Sequence, residues 1–183
     1  MAEARVVDTN VLYVASAADP GSPFPEDGSP VDSATDRDRV LFWLRDFEVD
    51  PNRLVVIDWD WRICGEYLNK KNYDGITEQD YGWLAIMSKR DRDEVVWIGF
   101  DVDNDGTAIL PSPISDQMTD QADKKMVAGV IAASSNGHDC QLTVACDTDW
   151  IDVEHCLKDS GIKIELLIEG WLRAKWHSMR AGA

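Results

Sequence analysis

Basic residues are scarce in this chain. Its 183 residues include 18 Lys and Arg against 34 Asp and Glu, a formal net charge of −16. Neutralising phosphates takes cations, so the composition argues against a broad basic face that grips nucleic acid. Solubility or adaptation to salt would explain the acids. So would a cluster of some of them around divalent cations that then meet phosphates. Long apolar runs are missing as well, and none approaches the roughly 20 residues that span a bilayer. The first ten residues, MAEARVVDTN, show no basic segment leading into an apolar stretch, so no secretory leader is expected. Cys64, Cys140, Cys146 and Cys156 form no CxxC pair. His138 lies near Cys140 and His155 beside Cys156, but without CxxC the reading is scattered reduced thiols rather than zinc. These absences lead to the expectation of a soluble, cytoplasmic protein with no membrane partner.

The length and the 44% hydrophobic content suit a single domain spanning 1–183, large enough to bury a core without disulfides. ARVVDTNVLYVA, from Ala4, is an apolar run interrupted by Asp8 and reads as a first buried strand. Residues 19–34 are rich in Pro, Gly and Ser and read as a loop or lid. Thr35 to Phe47 has helical spacing of Val40, Leu41, Leu44 and Phe47, with Thr35 or Asp36 as its cap. LVVI at 54–57 is a short buried strand or an extended entry to the next element. The following WDWRICGEYLNKK is a helix for which Asp58 is an available cap.

A further helix is expected over 77–88, a strand at 95–100, and a turn at DVDNDG. Thr119 to Ser135 reads as a helix capped by Thr119 or Asp120, burying Met126, Val127, Val130 and Ile131. CQLTVACD is a strand ending in an acid. A short helix over 152–158 ends at Gly161, then IKIELLI forms the last strand and the tail an amphipathic helix. Strands alternating with helices predict a three-layer α/β/α sandwich around a mostly parallel sheet. No internal repeat is present.

In such sheets ligands bind outside the carboxyl ends of the strands. Asp8 lies within or at the end of the first run, and Asp147 and Asp149 follow LTVAC. Converging carboxylates repel, and a hard cation such as Mg²⁺ or Mn²⁺ relieves that repulsion. Asp123 falls in the first turn of its helix, where the dipole favours an anion. Glu66 sits mid-helix beside apolar Ile63 and Tyr67. Taken singly, each acid has a plain alternative as a cap, a loop acid or a solvated helix residue. Their order and placement together favour a shared site.

The same segments resemble the PIN-domain family. VVDTNVL resembles its opening strand, in which an Asp is followed by Thr or Ser and Asn. CGEYL resembles its second motif and ADKKMVAGVIAAS its third. LTVACDTDWIDV resembles its fourth, and GIKIELL its closing strand. The likeness covers nearly the whole chain in order, and the first and fourth motifs are the most specific. Ala145 stands where the family often has a hydroxyl residue. The chain also exceeds a minimal PIN domain, by segments at about 19–34 and 72–116.

PIN domains are typically Mg²⁺- or Mn²⁺-dependent ribonucleases. The resemblance therefore implies phosphodiester hydrolysis with the cations held among Asp8, Glu66, Asp123, Asp147 and Asp149. Thr9 and Asn10 would orient Asp8 from behind, and Asp120 is a substitute for Asp123. Lys124 and Lys125, beside Asp123, and Lys70 and Lys71 are candidate contacts to an RNA backbone. The eight Trp residues offer base-stacking surfaces in general, with none singled out. Many prokaryotic PIN domains are toxins of toxin–antitoxin pairs and form homodimers, so an antitoxin or a second copy are possible partners.

Three other readings compete. DVDNDG opens like an EF-hand loop, but Ser112 occupies the position that needs a bidentate Glu. Asp103 and Asp105 in DNDGT, after VVWIGF, resemble the first motif of haloacid-dehalogenase-type phosphatases. A PIN-like fold can also persist as an inactive binding scaffold.

Overall fold

Five short strands pair in parallel, in the order β3-β2-β1-β4-β5. They belong to a computed structural model that describes residues 2–22, 28–69 and 80–182. In chain order the elements are β1 (Glu3–Val7), α1 (Thr9–Ala18), α2 (Ala34–Val49), β2 (Arg53–Asp58), α3 (Arg62–Leu68), α4 (Tyr81–Asp91) and β3 (Val95–Ile98). They continue as α5 (Ile114–Gln117), α6 (Gln121–Ser135), β4 (Asp139–Val144), α7 (Asp149–Asp159), β5 (Lys163–Leu166) and α8 (Glu169–Ala181). Helices α1, α2 and α4 pack together on one face, and α3 and α6 pack together on the other. The result is the expected three-layer α/β/α sandwich.

The central strands β1, β2 and β4 are largely apolar and buried because helices cover both faces of the sheet. Val6, Val7, Val55, Val56, Ile57, Leu142 and Val144 are fully buried. All four cysteines are buried, and none forms a disulfide among the described residues. Gly129 brings α6 close to the sheet, since a Cβ there would lie 3.0 Å from Ile63 and 3.3 Å from Val6. Among the described residues, no helix is long and apolar enough to cross a membrane.

The first apolar run is not a single strand. It divides at Asp8: β1 ends at Val7, and α1 begins at Thr9 with Asp8 as its N-cap. A buried strand and a buried helix are both apolar throughout, so periodicity does not separate them. Helix α2 starts earlier than expected, and Ser33 caps it in place of Thr35 or Asp36, its side chain accepting from the Asp36 N–H. Helix α7 begins at Asp149 rather than residue 152. Of the segments beyond a minimal domain, 19–34 links α1 to α2, and residues 23–27 lie outside the described residues. The second, 72–116, is described from residue 80 and contributes α4 and the paired edge strand β3. Residues 77–79 of the expected helix also lie outside the described residues.

Helices α1 and α4 touch through backbone. Asp80 caps α4, and the Gly82 N–H donates to Ser16 Oγ (2.9 Å) and Asp80 Oδ1 (3.0 Å). A Cβ on Gly82 would fall 2.6 Å from the Leu12 carbonyl oxygen and 2.8 Å from Leu12 Cα. Backbone cannot yield as a flexible side chain can, so Gly82→Ala is expected to destabilise the fold by about 1–3 kcal/mol. Urea unfolding of the two proteins measures this, and equal midpoints would refute the close approach.

Candidate functional site

The strand order reverses between β1 and β4: β2 and β3 extend one way from β1, and β5 extends the other way from β4. The carboxyl edge at such a reversal opens a crevice because the flanking connections diverge. Asp8 stands at this point. Its N–H donates to the Thr143 carbonyl at 2.9 Å, adding one rung beyond β1, and the residue is only 3% exposed. Its carboxylate caps α1 by accepting the Asn10 N–H at 3.1 Å.

Asp147 follows β4 by three residues and is half-buried. Its Oδ2 accepts from the Asn10 side-chain amide at 3.2 Å, and its Oδ1 accepts the Asp149 N–H at 3.0 Å. Asn10 therefore ties the two strand ends together, its main chain on Asp8 and its side chain on Asp147. Asp120 caps α6, accepting from the Ala122 N–H (2.7 Å) and Asp123 N–H (3.1 Å). Three helix N-termini, those of α1, α6 and α7, thus meet the acids. Their positive dipole ends offset part of the crowding.

An open cleft of about 210 Å³ is lined by Asp8, Thr9, Asn10, Glu66, Asn69, Asp120, Ala122, Asp123 and Asp147. Asp120 and Asp123 also wall a neighbouring cleft of about 190 Å³ that contains Asp149 and Asp152. The expected acids are thereby gathered at one edge, but Asp149 lies exposed in the adjacent cleft, across the start of α6. Asn69 went unnoticed in the sequence. Its signal was spacing, because it lies three residues after Glu66 and so shares that face of α3.

Electrostatics identify the most crowded position. Burial pushes the Asp123 carboxyl up to about 8, and the negative charges of Asp8, Asp147, Asp120 and Asp149 push it the same way. Tyr67, one residue after Glu66, is buried, and its hydroxyl donates to the Val7 carbonyl at 2.8 Å. Burial is the main reason that its phenol is raised well above its ordinary value. This bond holds α3 against the end of β1, next to Asp8.

Lys125, expected to meet RNA, instead donates to Glu66 inside the site. A cation among five acids is drawn to the nearest one, and this pairing leaves Lys125 turned from solvent. Lys124 is half-buried on the same turn. Lys70 and Lys71 lie outside the described residues.

The donor set suits a hard divalent cation, since carboxylate and amide oxygens dominate and, among the described residues, the cleft lining holds no soft ligand. Among the described residues, no three His, Cys, Asp or Glu side chains already converge as a preformed metal cage. Like charges in one cleft favour that spread spacing. Asp103 and Asp105 are elsewhere. Both are exposed in a turn beyond the edge strand β3, and Asp103 Oδ1 accepts the N–H groups of Asp105 and Thr107, each at 2.9 Å. Compared with models of protein families, with curated proteins and with solved structures, the chain matches none.

The raised Asp123 carboxyl has a consequence for stability. Its folded pKa lies above its unfolded value, so folding binds a proton between about pH 4 and pH 8. The associated stability is present below pH 4 and is lost as pH rises through 8. Asp123→Asn cannot undergo that loss. In chelator it is expected to melt close to wild type at pH 4 and above it at pH 9. The expected gain is at least about 1 kcal/mol, or about 2–4 °C for a chain of this size. A melting difference that does not grow with pH would refute the crowding.

Proposed function

We propose that this chain is a divalent-cation-dependent nuclease that hydrolyses RNA phosphodiester bonds at the Asp8–Asp147 crevice. The observation that carries the reading is that a deeply buried Asp8 lines one cleft with Asp147, Asp123, Asp120 and Glu66 at the strand-order reversal. A structural cap does not need four further carboxylates around it, and their mutual repulsion is relieved when positive charge enters. The PIN-domain resemblance rests on the same residues.

Asp8 and Asp147 would hold Mg²⁺ or Mn²⁺, with Asp123, Asp120 and Glu66 joining directly or through water. Such a cation supplies Lewis acidity, a more acidic attacking water, and stabilisation of the charge on the leaving oxygen. Asn10 fixes the relative position of the two principal carboxylates through its bonds to both. Lys125 offsets the charge of Glu66 and keeps it from repelling a phosphate. Asp123, protonated near neutral pH without a cation, would release that proton on binding one. A toxin role with a partner antitoxin is compatible with this chemistry, as is an RNA-maturing one. The phosphatase reading is weaker, because the Asp103 carboxylate already closes its own turn.

The wild type is expected to cleave RNA with Mg²⁺ or Mn²⁺ and not with chelator. The Asp8→Asn, Asp147→Asn double variant should stay at the chelator background, and Asp103→Asn should match wild type. Mn²⁺ at about 100 times its dissociation constant should stabilise the wild type by about 2.7 kcal/mol and the double variant far less. Cleavage that survives in the double variant would sink the proposal. So would the absence of both cleavage and cation-dependent stabilisation.

A further inference from the structure

Three of the eight tryptophans gather where β2 and β3 end, on the same carboxyl edge as the acid cleft. Trp59 follows Asp58, and its N–H donates to the Ile98 carbonyl at 2.9 Å, which carries the β2–β3 pairing one rung further. Its ring stacks on Trp97 with centroids 4.9 Å apart and planes 16° from parallel. With one face against Trp97, and 64% exposed overall, Trp59 presents its other face to solvent. Trp61, 38% exposed, is held at φ 60°, ψ 24°. That left-handed conformation costs a bulky residue about 1–2 kcal/mol.

Two guanidiniums border the rings. Arg90 lies 5.6 Å from the Trp61 ring centroid and Arg62 lies 5.9 Å from that of Phe100. Both also meet acids, Arg62 with Asp60 and Arg90 with Asp91. Core packing does not explain Trp59, because its exposure leaves most of its apolar area in water.

The patch connects to the cleft through two short links. Parallel pairing of β1 with β2 puts Asp8, the residue after β1, and Asp58, the last residue of β2, on the same carboxyl edge of neighbouring strands. Arg62 and Glu66 are i and i+4 on α3, one turn apart on one face, so that helix runs from the aromatic turn into the cleft.

We infer that Trp59, backed by Trp97 and flanked by Trp61, Arg62 and Arg90, is a stacking platform for an unpaired base of single-stranded nucleic acid lying next to the acid cleft. The inference rests on the nuclease reading and adds the substrate class: unpaired rather than duplex strands. Duplex bases are stacked on each other and hide their faces, whereas an unpaired base can lie on an aromatic ring. The chain's charge points the same way. With 34 acids against 18 bases, attraction to phosphates is weak, so base contacts must carry affinity. Arg62 and Arg90 are the cations at the platform. Binding should therefore fall with salt on a log–log slope no steeper than about −1.5.

The test uses the full chain in chelator, with fluorescein-labelled 12-mers of oligo(U) and oligo(A), an abasic phosphodiester of equal length, and a duplex. Trp59→Ala is expected to weaken binding of both single strands about 5-fold to 100-fold. Trp59→Phe should stay within about 3-fold of wild type, because it keeps an aromatic face. Trp176→Ala, on α8 and away from the patch, should change nothing. The abasic strand and the duplex should bind weakly and equally to all four proteins. Circular dichroism melts check that each variant folds.

Equal affinity of wild type and Trp59→Ala for the single strands would overturn the platform, as would no binding by wild type. A change in sedimentation with unchanged oligonucleotide affinity would assign the patch to a protein interface and also overturn it. Cleavage with Mg²⁺ or Mn²⁺, measured on the same preparations, separates the two ideas. Trp59-dependent binding without cleavage keeps the platform and sinks the nuclease. Cleavage indifferent to Trp59, with single strands bound equally by both proteins, does the reverse.

Discussion

A single backbone hydrogen bond, from the Asp8 N–H to the Thr143 carbonyl, fixes the position on which the site depends. It is the last rung between β1 and β4, the two strands at which the sheet changes direction. Because it lies beyond the strand proper, the Asp8 carboxylate is buried without being enclosed between sheet and helix. A rung earlier, the side chain would enter the core, where an ionised acid is costly. A residue later, it would sit on the first turn of α1 and lose its cap bond to Asn10. The register of one parallel pair therefore sets the chemistry available at the edge.

The acids stay together at that edge because the fold supplies partial compensation from several directions. Three helix N-termini point first-turn N–H groups toward the carboxylates, and several of them donate to those acids. Lys125 meets Glu66 from the next turn of α6. What remains uncompensated concentrates on Asp123, the carboxyl that four neighbours push toward its protonated form. Asp8, Asp147, Asp120 and Glu66 each have a structural bond of their own. A cation can enter the cleft without the fold having relied on it, which sets this arrangement apart from small zinc domains that are unfolded without metal.

Much of the fold was legible because both faces of the sheet are covered. Apolar runs at 54–57, 95–100 and 140–147 read as strands, and β2 (Arg53–Asp58), β3 (Val95–Ile98) and β4 (Asp139–Val144) form there, the last two ending short of the expected bounds. The site was legible because acids ending such runs are rare and costly. The pattern is seen at Asp8, at Asp147, and at Asp58, whose carboxylate accepts the Arg62 N–H at 3.0 Å and the Ile63 N–H at 2.8 Å, although α3 begins at Arg62 with Trp61 rather than Asp58 as its N-cap. The break at Asp8 was not legible, because a strand and a helix of equal hydrophobicity adjoin there. Nor was the pairing of Lys125 with Glu66, which joins residues 59 positions apart and depends on how α3 leans on α6. The Trp59–Trp97 stack was hidden for the same reason: only the parallel register of β2 with β3 brings the rings together.

The surplus of negative charge and a phosphate-bearing substrate look incompatible only if affinity must come from the protein's own cations. Two other sources are available along this edge. A divalent cation held by Asp8 and Asp147 would present positive charge at the one place where a phosphate must come close, leaving the rest of the surface repulsive. Bases stacked on Trp59 would contribute attraction that does not depend on charge and is not screened by salt. Repulsion elsewhere then becomes a filter. A duplex offers a dense line of phosphates and no open base, so it receives the repulsion without the stacking. A flexible single strand can lay one base on the platform, direct one phosphate into the cleft, and hold the remainder away from the acidic surface. On the proposed reading, selectivity for unpaired strands would follow from the same composition that first argued against a nucleic-acid partner.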